Sequence, residues 1–274
     1  MLNWCSVTVT FNPQLETLLE QMRTVTQDLR GVIIVDNASD NIQEIEAIVN
    51  DFEGRISLIK FKANAGIGRA LNAGIDQAIR MGNYDFILTL DQDTTFYHDS
   101  FDNAESEASV LVNSNGPGLF GFNFTKKRFS RDILVNYSGN PSPVNFLITS
   151  GTIISREILD LVKFDESLFI YFVDNDFCIN VRKLGFQIVV LARSRMRHSE
   201  GQRQLRGGKS YFYIAPERMY YLTRNSLIML KRHGYCIGIV YAGYVVLMNL
   251  FAGISLLQML KSSIKGFKDG INGR

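Results

Sequence analysis

Between residues 6 and 93 the sequence alternates four short β-type runs with three segments of helical spacing. The run 6–11 stops at Asn12-Pro13, and 14–29 then places Leu15, Leu18, Leu19, Met22 and Val25 near a 3.6-residue period. Gly31 resets the chain before 32–35, which ends in Asp36-Asn37-Ala38-Ser39-Asp40. A helical segment at 42–52 leads to a third run at 56–61. Another at 66–81, rich in Ala and Ile, leads to a fourth at 84–90, closed by Asp91-Gln92-Asp93. Strands that are apolar along their whole length are covered on both faces, and short strand–helix alternation makes them parallel. The expected fold class is α/β, a mostly parallel sheet flanked by helices. Ligands bind such sheets at the carboxyl ends of the strands. Asn12 and the polar clusters 36–40, 64–66 and 91–93 all fall there.

From about residue 116 the alternation is lost. Turns rich in Gly and Asn separate runs at 119–124, 133–137 and 146–154, while 174–184 reads as helix and 186–191 as a further strand. The segment 215–231 reads as a helix with Pro216 in its first turn. A chain of 274 residues accommodates one large domain or two closely packed ones. We read this stretch as the second half of the same α/β domain. Cys5, Cys178 and Cys236 are odd in number and far apart, which gives neither a disulfide framework nor a zinc spacing and fits a reducing compartment. The first residues show no basic segment followed by a long apolar run, so no signal peptide is expected.

The net charge of +2 hides an asymmetry. Residues 1–192 carry 15 basic and 24 acidic side chains, whereas 193–232 carry 10 basic and 2 acidic, and 233–274 carry 4 and 1. An acidic body with a basic C-terminal third points that third toward anionic partners. Residues 234–260 contain no charge, with Lys231 and Arg232 before them and Lys261, Lys265 and Lys268 after. Twenty-seven residues are enough to span a bilayer, but a single span would put one basic flank on the wrong side. An interfacial or re-entrant element with both flanks on one leaflet fits better. A buried helix or a homodimer interface is the alternative.

Several clusters can carry chemistry. Asp91 and Asp93, two residues apart at a strand exit, suit a shared hard divalent cation, Mg²⁺ or Mn²⁺, with positions left for diphosphate oxygens. His198, in Arg195-Met-Arg-His-Ser-Glu-Gly, becomes a third metal-ligand candidate beside such a pair. Around it, Arg193, Arg195, Arg197, Arg203, Arg206 and Lys209 can meet phosphate or form a solvated basic loop. Asp36 can accept hydrogen bonds from a base or ribose. Asp40 is the better cap for the next helix, which leaves Asp36 free. Asn64-Ala-Gly-Ile-Gly68 opens a helix whose amides can face a diphosphate, with Arg69 in the first turn. Leu71 stands where a dinucleotide fingerprint needs Gly, so a dehydrogenase reading is poor. Asp174 and Asp176 are delivered by an apolar run to a helix start, one as a cap and the other as a general base.

In chain order these residues form a pattern. Val7-Thr-Val-Thr-Phe-Asn-Pro13, Ile34-Val-Asp-Asn-Ala-Ser39, Asn64-Ala-Gly-Ile67, Asn72-Ala-Gly74, Leu90-Asp-Gln-Asp93, Ser150-Gly-Thr152, Phe164-Asp-Glu166, Val173-Asp-Asn-Asp176 and His198 together resemble the family 2 glycosyltransferases. Asp-Gln-Asp, Phe-Asp-Glu-Ser-Leu-Phe-Ile-Tyr-Phe-Val-Asp, Arg218-Met-Tyr-Tyr-Leu-Thr-Arg-Asn225 and the tail Lys265-Gly-Phe-Lys-Asp-Gly270 resemble the bacterial rhamnosyltransferase branch. The resemblance covers nearly the whole chain. It implies a GT-A fold at 1–210, with a nucleotide-sugar-binding half at 1–115 and an acceptor half at 116–210. Residues 211–274 would then be a helical, membrane-associating region. It implies inverting transfer from a nucleotide-diphosphate sugar, dTDP-L-rhamnose by the branch, to a lipid-linked glycan in O-antigen or capsule synthesis. The expected place is the cytoplasmic face of the bacterial inner membrane. Donor contacts fall by the resemblance to Thr10, Phe11, Asn12, Asp36, Asn64, Gly66, Arg69, Asp91 and Gln92. The metal falls to Asp91, Asp93 and His198, and the catalytic base to Asp174. Many members carry Glu-Asp at the base, where this chain has Val173-Asp174. The Asp is retained, and Asp176 is left as a helix-start or acceptor-binding group.

Three rivals stand beside this reading. A family 2 enzyme using another donor, such as a UDP-hexose, shares every motif. A nucleotidyltransferase pairs a similar sheet with a carboxylate–metal site, but needs a Gly-rich basic loop where Phe11-Asn12-Pro13 stands. A non-catalytic, membrane-bound sugar-binding protein would tolerate loss of Asp174. Nucleic-acid binding is not expected, because the basic run belongs to no recognisable module.

Overall fold

The computed structural model describes residues 3–128, 131–134, 139–198, 203–206, 209–212, 214–251 and 256–273. Side chains at 125–134, 203–212, 248–251 and 256 lie outside that description. The chain forms two compact units, one of 1–166 with 177–199 and the other of 167–176 with 200–274.

The first unit follows the predicted alternation: β1 (Trp4–Thr10), α1 (Leu15–Asp28), β2 (Gly31–Asp36), α2 (Ile42–Asn50), β3 (Ile56–Lys60), α3 (Ile67–Met81) and β4 (Phe86–Asp91). These strands pair in parallel in the order β3-β2-β1-β4. β1 and β2 are buried at nearly every position, as strands between two helical layers must be; β2 is apolar up to Asp36, while β1 also buries Ser6, Thr8 and Thr10. α3 lies close on the sheet because Gly74 has no Cβ, and one there would come within 2.3 Å of Val7. After β4 come β5 (Thr94–Phe96), α4 (Ser100–Asn115), β6 (Gly118–Arg128), β7 (Arg131–Leu134), β8 (Ser142–Pro143), β9 (Thr152–Ser155), α5 (Arg156–Leu159), α6 (Val173–Lys183) and β10 (Gln187–His198). The sheet continues as β4-β9-β6-β10-β5, with β9 antiparallel to β4 and β6, and β5 antiparallel to β10. β10 breaks register with β6 between Val190 and Arg195. The core runs along the sheet from Trp4, Leu18 and Ile34 to Phe96, Phe101, Phe120 and Phe122.

Two local expectations change, and one helix, α4, was not anticipated. The run 146–154 yields a strand only at Thr152–Ser155. Before it, Leu147 donates its N–H to Cys178 Sγ, and Gly151, at φ +74°, donates to Thr89 O. Helix α4 had no clear apolar stripe in the sequence, because its buried face is Phe101, Ala104, Glu107 and Ala108. The run 133–137 forms a strand to Leu134, and 135–137 lie outside the described residues.

The second unit contains the hairpin β11 (Arg203–Arg206) and β12 (Lys209–Phe212), then α7 (Pro216–His233), α8 (Ile237–Phe251) and α9 (Leu256–Asn272). The uncharged stretch 234–260 thus supplies α8 and the start of α9, with 252–255 outside the described residues. Among the described residues no helix is long and apolar enough to cross a membrane. α8 carries exposed Ile237, Val240, Tyr244 and Leu247, and α9 exposed Leu257, Leu260, Ile264 and Phe267.

Candidate active site

The polar ends of β1, β2 and β4 meet in one hydrogen-bonded rim. Phe11 donates its N–H to Gln92 Oε1 (2.6 Å), and Gln92 Nε2 returns a bond to Phe11 O (3.1 Å), tying the end of β1 to the turn after β4. The Phe11 ring is 45% exposed at that rim, placed to stack on a flat ligand. Asn12, at φ +50°, donates its N–H to Ser39 Oγ (2.8 Å), and its side chain meets Asp40.

Asp36 is not free. It is buried, and its carboxylate accepts from Thr10 Oγ1 (2.9 Å), Ser39 N (2.9 Å) and Ser39 Oγ (2.5 Å). The side chain closes its own turn, while Asp40 engages Asn12 and α2 begins after Asn41 without a side-chain cap. Asn37 holds the next loop, accepting from Ala65 N and donating to Gly66 O. Asn64 Oδ1 accepts from Gly66 N (3.0 Å), and Gly66 takes φ +85° to open α3. Arg69 sits 4.0 Å from Glu166, both exposed. Asn72, which the sequence offered without a role, is buried and exchanges bonds with the backbone of Phe164.

Asp91, Asp93 and His198 converge. One ligand atom from each lies within 4.8 Å of the others, and all three residues are half-buried. His198 Nδ1 is 3.4 Å from Asp93 Oδ1, and Nε2 is 3.9 Å from Asp91 Oδ2. Ligands of Mg²⁺ or Mn²⁺ stand ~2.1 Å from the ion, so oxygens and nitrogens around it are ~3–4 Å apart. An imidazole ligates through one nitrogen only, so the three side chains, with one atom each within 4.8 Å, need to close by up to about 1 Å to hold such an ion. Burial raises the pKa of Asp93, opposed by His198 and its own backbone N–H.

The residues that hold this cluster were not singled out as such in the sequence. Ser150 Oγ accepts from Asp91 N (3.0 Å) and lies 2.5 Å from Thr94 Oγ1, which is 3.2 Å from His198 Nδ1. Gln21 of α1, fully buried, donates to Asp91 O (2.9 Å) and Thr94 O (2.7 Å) and accepts from Thr8 Oγ1. One polar residue inside the stripe Leu18, Met22, Val25 was the available signal. Of the basic run, Arg193 is drawn to buried Glu107 (3.6 Å), which also binds the backbone of Ala192 and Arg193. Arg195 and Arg197 flank the Tyr97 ring at 5.2 and 4.1 Å. The side chains of Arg203, Arg206 and Lys209 lie outside the described residues.

Asp174 belongs to the second unit, in the first turn of α6. Its carboxylate accepts from Asn175 N (2.9 Å). Burial raises its pKa, and the backbone amides of Asn175 and its own residue oppose that shift. Asp176 is paired, with His233 Nε2 at 2.7 Å from its Oδ1 and both side chains buried.

Residues 7–104 match the model of glycosyl transferase family 2. The chain carries a family 2 glycosyltransferase domain. It is 26% identical over 249 residues to the dTDP-rhamnosyl transferase RfbF of Shigella flexneri, covering 84% of this chain and 81% of that protein. It is also 26% identical over 180 residues to the amylovoran biosynthesis glycosyltransferase AmsB of Erwinia amylovora, covering 59% and 57%. Among solved structures, S. aureus TarS in complex with UDP-GlcNAc matches with a TM-score of 0.61 at 16% identity, over 99% of this chain and 81% of that one. GalNAc-T7 with UDP, GalNAc and Mn²⁺ matches with a TM-score of 0.61 at 11% identity, over 83% of this glycosyltransferase, which spans about half (51%) of that chain. The architecture of the enzyme is the GT-A fold.

Proposed function

We propose that the enzyme transfers L-rhamnose from dTDP-L-rhamnose, with inversion, to a lipid-linked glycan acceptor in bacterial surface polysaccharide synthesis. The observation that carries this reading is the Asp91–Asp93–His198 cluster, at the carboxyl end of a parallel strand in a family 2 domain similar along most of its length to a dTDP-rhamnosyl transferase. The exposed Phe11 ring suits the base, and Gln92 fixes its backbone. Thr10, Asp36 and Asn64 shape the loops around the nucleotide; their side chains are engaged within the protein, so they act through backbone position. Gly66 and Arg69 stand at the start of α3, open to a diphosphate.

Asp91, Asp93 and His198 would hold Mg²⁺ or Mn²⁺, which when bound supplies charge neutralisation for the departing diphosphate. Asp174 takes the proton of the acceptor hydroxyl as its oxygen attacks the anomeric carbon. Inversion needs no enzyme nucleophile, and no side chain is assigned that role. For localisation we read α8 and α9 as lying on the cytoplasmic face of the inner membrane. Both helices expose apolar side chains, and α9 also carries Lys261, Lys265 and Lys268. A 15-residue helix such as α8 is ~22 Å long, short of the ~30 Å hydrocarbon core. Calorimetry and hydrolysis with dTDP-, UDP- and GDP-sugars, with and without Mn²⁺, test the donor. dTDP-rhamnose should rank first, and a clear preference for UDP-GlcNAc or a UDP-hexose overturns the assignment.

A further inference from the structure

The segment that leads into Asp174 is held in a conformation its residues do not favour. After a single 3₁₀ turn (Glu166–Leu168), Phe169, Tyr171 and Phe172 take φ of +56°, +66° and +63°. Bulky side chains rarely occupy this region, and three within four residues persist only where the surroundings impose them. Those surroundings come from α7. Asn225, fully buried, donates Nδ2 to Leu168 O (2.6 Å), Ile170 O (2.7 Å) and Tyr171 O (3.1 Å). Its Oδ1 accepts from Arg224 Nε (2.9 Å), and the same guanidinium donates to Ser167 O. One amide thus gathers three of the turn's carbonyls, those of residues 168, 170 and 171, and the arginine fixes which way that amide faces.

Ring contacts close the same clamp. Phe169 stacks on Tyr221 of α7 (4.6 Å between centroids, 13° between planes), and Phe172 meets the edge of Tyr235 just past its end. Gly238 lets α8 approach, because a Cβ there would stand 3.0 Å from the Phe172 ring. His233, the last residue of α7, holds Asp176 in the first turn of α6. Asp174 lies between these two attachments, two residues after the left-handed loop and two before the His233 contact.

We propose that Asn225, oriented by Arg224, is a positioning residue of the transfer step: it sets the 168–172 loop from which the Asp174 carboxylate is presented. The proposal rests on Asp174 being the base. Its stored backbone strain then has a use, because a carboxylate on a loop free to relax would sample positions too far from the attacking hydroxyl.

The test measures hydrolysis of whichever dTDP-, UDP- or GDP-sugar the unaltered enzyme turns over fastest, water standing in for the acceptor. Asn225→Ala, Asp174→Asn and the double variant are compared, with donor affinity by calorimetry and folding by thermal melts. We expect Asn225→Ala to lower kcat 10- to 100-fold with donor Kd within threefold. In the Asp174→Asn background it should lower kcat no further, because the group it positions is gone. If Asn225→Ala does not fold, Asn225→Ser keeps one donor and takes its place, with a smaller expected loss of about 3- to 10-fold. Unaltered kcat in the folded variant overturns the proposal, as does an equal loss in both backgrounds. Unaltered kcat in Asp174→Asn removes the base assignment, and this proposal with it.

Discussion

Asp174→Asn separates catalysis from folding. Asn keeps the shape of the side chain and its acceptor for Asn175 N–H, and loses only the capacity to take a proton. A positioned base contributes roughly 10²–10⁴ in rate, about 3–5 kcal/mol on the barrier, and the variant should lose that much. Burial raises the pKa of Asp174, which gives the stability effect a definite sign. The folded state binds this proton more tightly than the unfolded chain, so its contribution is fully present below the ordinary aspartate pKa and is lost as pH rises through the raised value. At neutral pH the ionised carboxylate therefore costs stability, and Asn removes the cost. The variant should melt no lower than the unaltered enzyme at pH 7, and any advantage should shrink on acidification. For the same reason the acidic limb of the unaltered enzyme's pH–rate profile should lie at higher pH than an ordinary aspartate would give. Rates against pH, donor calorimetry and melts at several pH values measure all three. A variant within threefold of the unaltered rate, or one inactive only because it melts early, refutes the reasoning.

Asp93→Ala should abolish metal-stimulated donor binding, read by calorimetry with and without Mn²⁺, while the melting curve stays cooperative; full activity in excess EDTA would contradict the metal assignment. Gln21→Leu leaves Asp91 O, Thr94 O and Thr8 Oγ1 each short of a partner. At about 1–3 kcal/mol for a buried polar group left unsatisfied, the melting temperature should drop clearly, and the metal affinity with it. Val240→Asp with Leu257→Asp, at positions 72% and 64% exposed, should release the protein from anionic vesicles in flotation without unfolding it. Equal flotation of both forms would remove the membrane reading. Asp176→Asn should lower the melting temperature, since it weakens the buried pair with His233, and reduce the rate less than Asp174→Asn does.

Strands β1 to β4 were legible because each is a short run rich in β-branched and apolar residues, followed or preceded by Gly, Pro, Asn or Asp, a signal contained in the segment itself. The candidate metal cluster was half-legible on the same terms, with Asp91 and Asp93 two residues apart at a strand exit and His198, far along the chain, a candidate only when set beside that pair. What escaped is of another kind. Asp36 looked free because its partners Thr10 and Ser39 are ordinary hydroxyls. Arg193 looked available for phosphate because Glu107, 86 residues earlier, is an acid inside a helix with a weak apolar face. Gln21 braces the Asp91 turn through two backbone carbonyls, and Asn225 gathers three more from a loop more than fifty residues away. Backbone carbonyls have no sequence signature, so a side chain whose work is to bind them shows only as a polar residue in an apolar stripe. Gln21 between Leu18 and Met22, and Asn225 between Leu222 and Met229, are both such residues, and both lead to segments that carry the site's carboxylates. The charged groups proposed to meet substrate can be found by motif, while the uncharged amides that brace their segments are found by asking why a helix buries a polar side chain.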